Sequence, residues 1–146
     1  MRRIEMINSR SATAIAAITL GAFFAGSVSA QDTAGRVYDE IEFTEGAPGV
    51  HFGLLWGDWA TGPFSMIVRI EGGAQAPDHH HPANYNAVSI QGTWVHTDSD
   101  GTEHVITPGS SAHQPAEEVH GDRCRGPEDC IILVQMDGPN GFVVAE

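Results

Sequence analysis

Asp78-His79-His80-His81-Pro82 places three histidines in a row in a chain of 146 residues that has eight in all. Alternate residues of a β-strand point to the same face, so His79 and His81 can present two imidazoles side by side. A further histidine, His120, lies 39 residues beyond His81 and five past Pro115. Three imidazoles converging on one point would make a site for a divalent transition metal. His80, between the two aligned rings, should point away and lie at the surface.

The elements that must position these rings are short. After a loose lead-in at Gln31–Gly35, apolar or β-branched runs alternate with Gly, Pro and Asp. The runs are Tyr38–Thr44, Val50–Trp56, Phe64–Ile70, Ala87–Ile90, Thr93–Thr97, His104–Ile106, Ser110–Gln114, Ile131–Met136 and Phe142–Val144. Asp98-Ser99-Asp100-Gly101 reads as a hairpin turn, which would let His96 and His104 pair across strands. Residues 31–146 show no sustained 3.6-residue apolar period. Many short strands in one small domain predict an all-β antiparallel sandwich or barrel.

Residues 1–30 are expected to be a signal peptide. Arg2, Arg3 and Arg10 form a basic start, Ser11 to Gly26 is mostly apolar, and Val28-Ser29-Ala30 offers small residues for cleavage after Ala30. The apolar stretch is short for a membrane span. The mature chain, residues 31–146, would be one domain in the periplasm or secreted, with no membrane association after cleavage. It carries four Arg, no Lys and 18 Asp or Glu. So acidic a surface makes nucleic acid and anionic membranes poor partners. Cys124 and Cys130, in Cys-Arg-Gly-Pro-Glu-Asp-Cys, are the only cysteines. In an exported protein a disulfide is the default for such a pair.

The two histidine segments also follow a known pattern. Gly73, five residues, His79-His80-His81, three residues, Tyr85, six residues and Gly92 match the spacing of the first cupin motif. Gly109, five residues, Pro115-Ala116-Glu117, two residues, His120, three residues and Cys124 match that of the second. The chain therefore resembles a single-domain cupin across roughly Gly73 to Cys124. Gly62-Pro63-Phe64, the run from His79 to Tyr85, and Pro-Ala-Glu-Glu-Val-His-Gly-Asp resemble a group of small secreted bacterial cupins of unassigned activity. The resemblance implies a jelly-roll β-barrel of roughly six to eight strands with a metal held by His79, His81 and His120. It further implies Fe(II) dioxygenation as a common chemistry and dimerisation through edge strands, while Zn, Mn, Ni and Cu remain open because geometry and availability, not imidazole alone, select the ion. Three positions depart from the pattern. Tyr85 replaces the first motif's glutamate, Glu117 the glycine of Pro-x-Gly, and Cys124 the closing asparagine.

With the glutamate gone, the fourth position is open to Asn84, Tyr85, Asn86, Gln114 or water. Tyr85 shares the parity of His79 and His81, whereas the apolar Val88 and Ile90 share that of Asn84 and Asn86 and are expected in the core. A bulge near Pro82 to Asn84 would reconcile the two. An open three-histidine site is the catalytic rather than the structural arrangement. Tyr85 could donate a hydrogen bond or proton to a substrate there, and Glu117 and Glu118 are the nearest acidic groups of the second motif. Trp56, Trp59, Phe64 and Trp94 are candidates for a pocket wall or core filling. His113 is expected at the surface, and His51 has no evident partner. No serine sits in a nucleophile context, and no glycine-rich phosphate loop opens a helix. The expected function is thus a metal-dependent enzyme, dioxygenase-like, acting on a small oxygenated organic molecule. The alternative is a non-catalytic protein that captures a metal or small ligand.

Overall fold

Among the described residues, glycine, proline and aspartate at short intervals leave no room for long helices, and the backbone pairs between strands instead. The computed structural model describes Gly35 and residues 37–145; the expected signal peptide lies outside the described residues. After a single 3-10 turn at Tyr38–Glu40 come β1 (Phe43–Ala47), β2 (Val50–Gly57), β3 (Phe64–Ile70), β4 (His79–His80), β5 (Tyr85–Gln91) and β6 (Thr93–Asp98). Then follow β7 (Glu103–Ile106), β8 (Ser111–Gln114), β9 (His120–Arg125), β10 (Cys130–Met136) and β11 (Val143–Val144). Among the described residues no helix is long and apolar enough to cross a membrane.

The strands form two antiparallel sheets, one of six strands in the order β1-β2-β3-β10-β5-β8 and one of five in the order β11-β4-β9-β6-β7. The expected all-β class is therefore met, with more and shorter strands than expected. Side chains from both sheets fill one core. Phe64, Met66, Val68 and Ile70 of β3 and Ile132, Val134 and Met136 of β10 meet Trp94, Ile106 and Cys124 of the five-stranded sheet. The alternation along β3 and β10 is that of strands with one face on the core.

The hairpin at Asp98–Gly101 forms, and His96 pairs with His104 in its register. Cys124 and Cys130 are joined by a disulfide. Three expectations need correction. Pro82–Asn84 is a connection between strands rather than a bulge, and β5 turns Tyr85, Ala87 and Ser89 inward. Val88 and Ile90 consequently lie exposed on the outer face of the six-stranded sheet. Trp56 is 52% exposed and does not line the cavity beside the histidines; the β2–β3 register slips between Leu54 and Trp56. Trp94 and Phe64 are buried, and Trp59 packs against Phe64 with ring centroids 5.1 Å apart.

Candidate metal centre

β9 passes between β4 and β6, and its register decides which side chains meet. His79 pairs with His120, and His96 pairs with Asp122. Cross-strand partners share a face, so two strands on either side of β9 aim their side chains at one spot inside the barrel. His81, two residues past His79, joins from the start of the connection to β5. The nitrogens of His79, His81 and His120 lie within 4.8 Å of one another, and all three side chains are buried.

The three rings are held alike. His79 Nδ1 donates to the Pro77 carbonyl at 2.8 Å, His81 Nδ1 to that of Gly141 at 2.6 Å and His120 Nδ1 to that of Glu118 at 3.0 Å. A carbonyl only accepts, so each ring must keep its proton on Nδ1, leaving Nε2 unprotonated. This is the anchoring that metal-bound histidines use. Phe142 stacks on His79 with centroids 4.1 Å apart. Burial lowers the pKa of His79 to about 4, against the pull of the nearby Asp122 carboxylate. Burial also lowers His81 and His120, so all three rings are held neutral, as metal ligation requires. The donor set therefore fits a divalent transition ion.

Asp122 is the residue that the sequence reading missed. Its Oδ1 accepts from Trp94 Nε1 at 2.7 Å and from His96 Nδ1 at 2.9 Å. Its Oδ2 lies 3.8 Å from Nε2 of both His79 and His120. The signal was present, since Asp122 stands two residues after His120 and so shares its face on a strand. The polar segment Glu118–Arg125 simply did not read as a strand. Burial works to raise Asp122, but the hydrogen bond and charge of His96 outweigh it and hold the carboxyl below its usual range.

His96 is the other half of that pair. Gln114 donates its amide to the carbonyls of Pro115 and Glu118, which turns its Oε1 toward His96 Nε2 at 3.0 Å. With a carboxylate on Nδ1 and an amide oxygen on Nε2, the His96 ring donates on both sides and carries a positive charge. Burial opposes that charge, but Asp122 overcomes it and raises the pKa.

The other expected positions fall as follows. Tyr85 is buried with its hydroxyl 3.4 Å from His120 Nε2, and burial pushes the phenol well above its ordinary range. Asn84 accepts from the backbone of Ala116, and the exposed Asn86 pairs with His113, so neither reaches the histidines. Gln114 proves buried, but it serves His96 rather than the three-histidine cluster. His113 is exposed, as expected. His80 is half-buried, with its Nδ1 covered and 3.1 Å from Glu117, and His51 finds Glu71 at 2.9 Å. The side chains of Glu117 and Glu118 are both exposed, although the Glu118 backbone carbonyl anchors His120. An apolar cavity of about 50 Å³ adjoins the histidines, walled by Phe52, Met66, Val68, Val134 and Phe142 with Tyr85 and Asp122 at its polar end.

The fold has many counterparts. An RmlC-like cupin from Shewanella frigidimarina is 20% identical, with a TM-score of 0.59 over 71% of this chain and 88% of that one. A sugar phosphate isomerase of the cupin superfamily from Silicibacter pomeroyi is 24% identical, with a TM-score of 0.60 over 71% and 75% of the two chains. The polyketide cyclase RemF from Streptomyces resistomycificus is 16% identical, with a TM-score of 0.65 over 77% and 86%. At these identities the likeness is one of fold. No curated protein matches the chain. Residues 31–138, most of the chain and the whole of the histidine cluster, match the family described as the ChrR cupin-like domain. The chain belongs to that cupin family.

Proposed function

We propose that this chain is a metal-dependent cupin enzyme, with His79, His81 and His120 as metal ligands, acting on a small oxygenated organic molecule. The observation that carries this reading is the common anchoring of the three rings through Nδ1, which turns three unprotonated Nε2 atoms toward one another. Fe(II) with dioxygenase-like chemistry is the favoured form, while imidazole donors also accommodate Zn, Mn, Ni or Cu. A bound ion would supply Lewis-acid polarisation of a substrate oxygen or, if iron, electrons for dioxygen.

The chain's own residues supply the rest. Phe52, Met66, Val68, Val134 and Phe142 exclude water and receive the apolar part of a compact substrate. Tyr85 stays a neutral phenol and acts as the hydrogen-bond or proton donor beside His120. The cupin neighbours include an isomerase and a cyclase, which keeps non-redox chemistry within the proposal. The Cys124–Cys130 disulfide supports an exported, periplasmic or secreted setting.

Metal analysis of protein purified without a histidine tag tests the ligands. The wild type should hold about one ion per chain, and His79→Ala with His120→Ala should abolish it. Unchanged metal content in that double variant would refute the assignment. Oxygen uptake by iron-loaded protein over diketones, phenols and hydroxy acids then tests the dioxygenase form. Metal binding without uptake would move the reading to a lyase, an isomerase or a binding protein.

A further inference from the structure

We propose that Asp122 Oδ2 is the fourth protein ligand of the metal, a carboxylate supplied by β9 in place of the glutamate that Tyr85 displaces. This rests on the three-histidine reading above and concerns what completes it. Two donors on one ion, each at about 2.1 Å, stand roughly 3–4 Å apart. Asp122 Oδ2 is 3.8 Å from Nε2 of His79 and 3.8 Å from Nε2 of His120. It thus stands beside two of the three presumed donors at the spacing of atoms sharing an ion.

The carboxylate is built to point there. Trp94 and His96, on the neighbouring β6, both donate to Oδ1 and fix the plane of the group. Among the described residues no hydrogen-bond donor reaches Oδ2. With Oδ1 held by two donors, Oδ2 is the oxygen left open toward the cavity and the histidines, where a cation can meet it. His96 is itself locked by Gln114, so the orientation of Asp122 is set through two further side chains.

The rival side-chain amides are spoken for. Asn84 is bonded to Ala116, Asn86 to His113 and Gln114 to His96. Moving the carboxylate from the first motif to the strand of the second also frees the Tyr85 position to face the cavity. The substrate side of the ion would then be lined by a proton donor rather than by a ligand.

Cobalt(II) loaded into the full mature chain is the probe. Wild type and Asp122→Asn would be compared by chelator competition and by the visible absorption of the bound ion. Asparagine keeps the shape and an oxygen acceptor for Trp94 but loses the anionic donor. The expected result is an affinity more than about 100-fold weaker, beyond the roughly 10–100-fold that loss of an outer partner of a ligand costs, with an altered visible spectrum because the ion loses an oxygen ligand. An affinity within threefold of wild type and an unchanged spectrum would overturn the proposal. Should the variant fail to fold, a crystal structure of cobalt-loaded wild type decides. An Oδ2–metal distance near 2.1 Å supports ligation, and one beyond about 3 Å overturns it. Wild type that binds no cobalt would instead overturn the three-histidine reading, and this proposal with it.

Discussion

The Nδ1 anchors of His79, His81 and His120 have a consequence for stability that needs no metal. Burial holds His79 near pKa 4 and lowers the other two. In the unfolded chain each ring titrates near 6.5. Below that pH the unfolded state binds more protons than the folded metal-free state, so stability falls as the pH falls. For His79 the window runs from about 6.5 down to about 4, and the loss across it is roughly 3 kcal/mol. Below about pH 6.5, His96 and Asp122 do not offset it. The raised pKa of His96 contributes stability that is complete below its unfolded value and is lost only as pH rises through the folded one. The lowered pKa of Asp122 contributes until the pH falls through that lowered value. Denaturant midpoints of metal-free protein should therefore drop steeply between pH 7 and pH 4.5. A flat profile would mean that the rings take up protons in the native state as readily as in the unfolded chain.

At the scale of strands, legibility followed the side chains that face inward. Phe64–Ile70 is read from sequence with its true bounds, because its inward residues are Phe64, Met66, Val68 and Ile70. β9 escaped, because its inward residues are His120, Asp122 and Cys124, and an apolar pattern cannot announce a strand whose buried face does chemistry. β5 was misread in phase for the related reason that its inner positions are Tyr85, Ala87 and Ser89. Val88 and Ile90 satisfy strand preference on the outer face instead. The motif spacing was a better guide than hydrophobicity here, since it placed His79, His81 and His120 together correctly. Glu117, where the family pattern has glycine, adopts a φ of 63°, so the backbone need survives the substitution. Gly92, which closes the first motif, shows the same need more severely. Its φ is 76°, and an added Cβ would stand 2.6 Å from the Asp129 carbonyl oxygen and 2.9 Å from Cys130 Cα. Both neighbours are backbone and cannot swing aside. Gly92→Ala should therefore destabilise the protein by more than about 1 kcal/mol, read as a lower denaturant midpoint. A midpoint equal to wild type would show that the β5–β6 turn can move away from β10.

At the scale of the molecule, the two sheets share one core and are joined covalently at one place. Cys124 ends the inward row of β9 in the five-stranded sheet, and Cys130 opens β10 in the six-stranded sheet. The disulfide therefore spans the sheets rather than merely closing a turn. A loop this short contributes about 2 kcal/mol by restricting the unfolded chain. Cys124 also lies four residues from His120 along the same strand, about 13 Å at strand rise. The histidines, by contrast, are fixed by the backbone carbonyls of Pro77, Gly141 and Glu118, none of which the disulfide holds. Stability and metal capacity should then separate. Cys124→Ala with Cys130→Ala should lower the unfolding free energy by about 2 kcal/mol while the folded protein still takes up one ion per chain. Denaturant titration beside metal analysis of the same preparation checks both halves. If stoichiometry fell together with stability, the spacing of the two sheets, and not the local carbonyl anchors alone, would be what keeps the three rings in reach of one another.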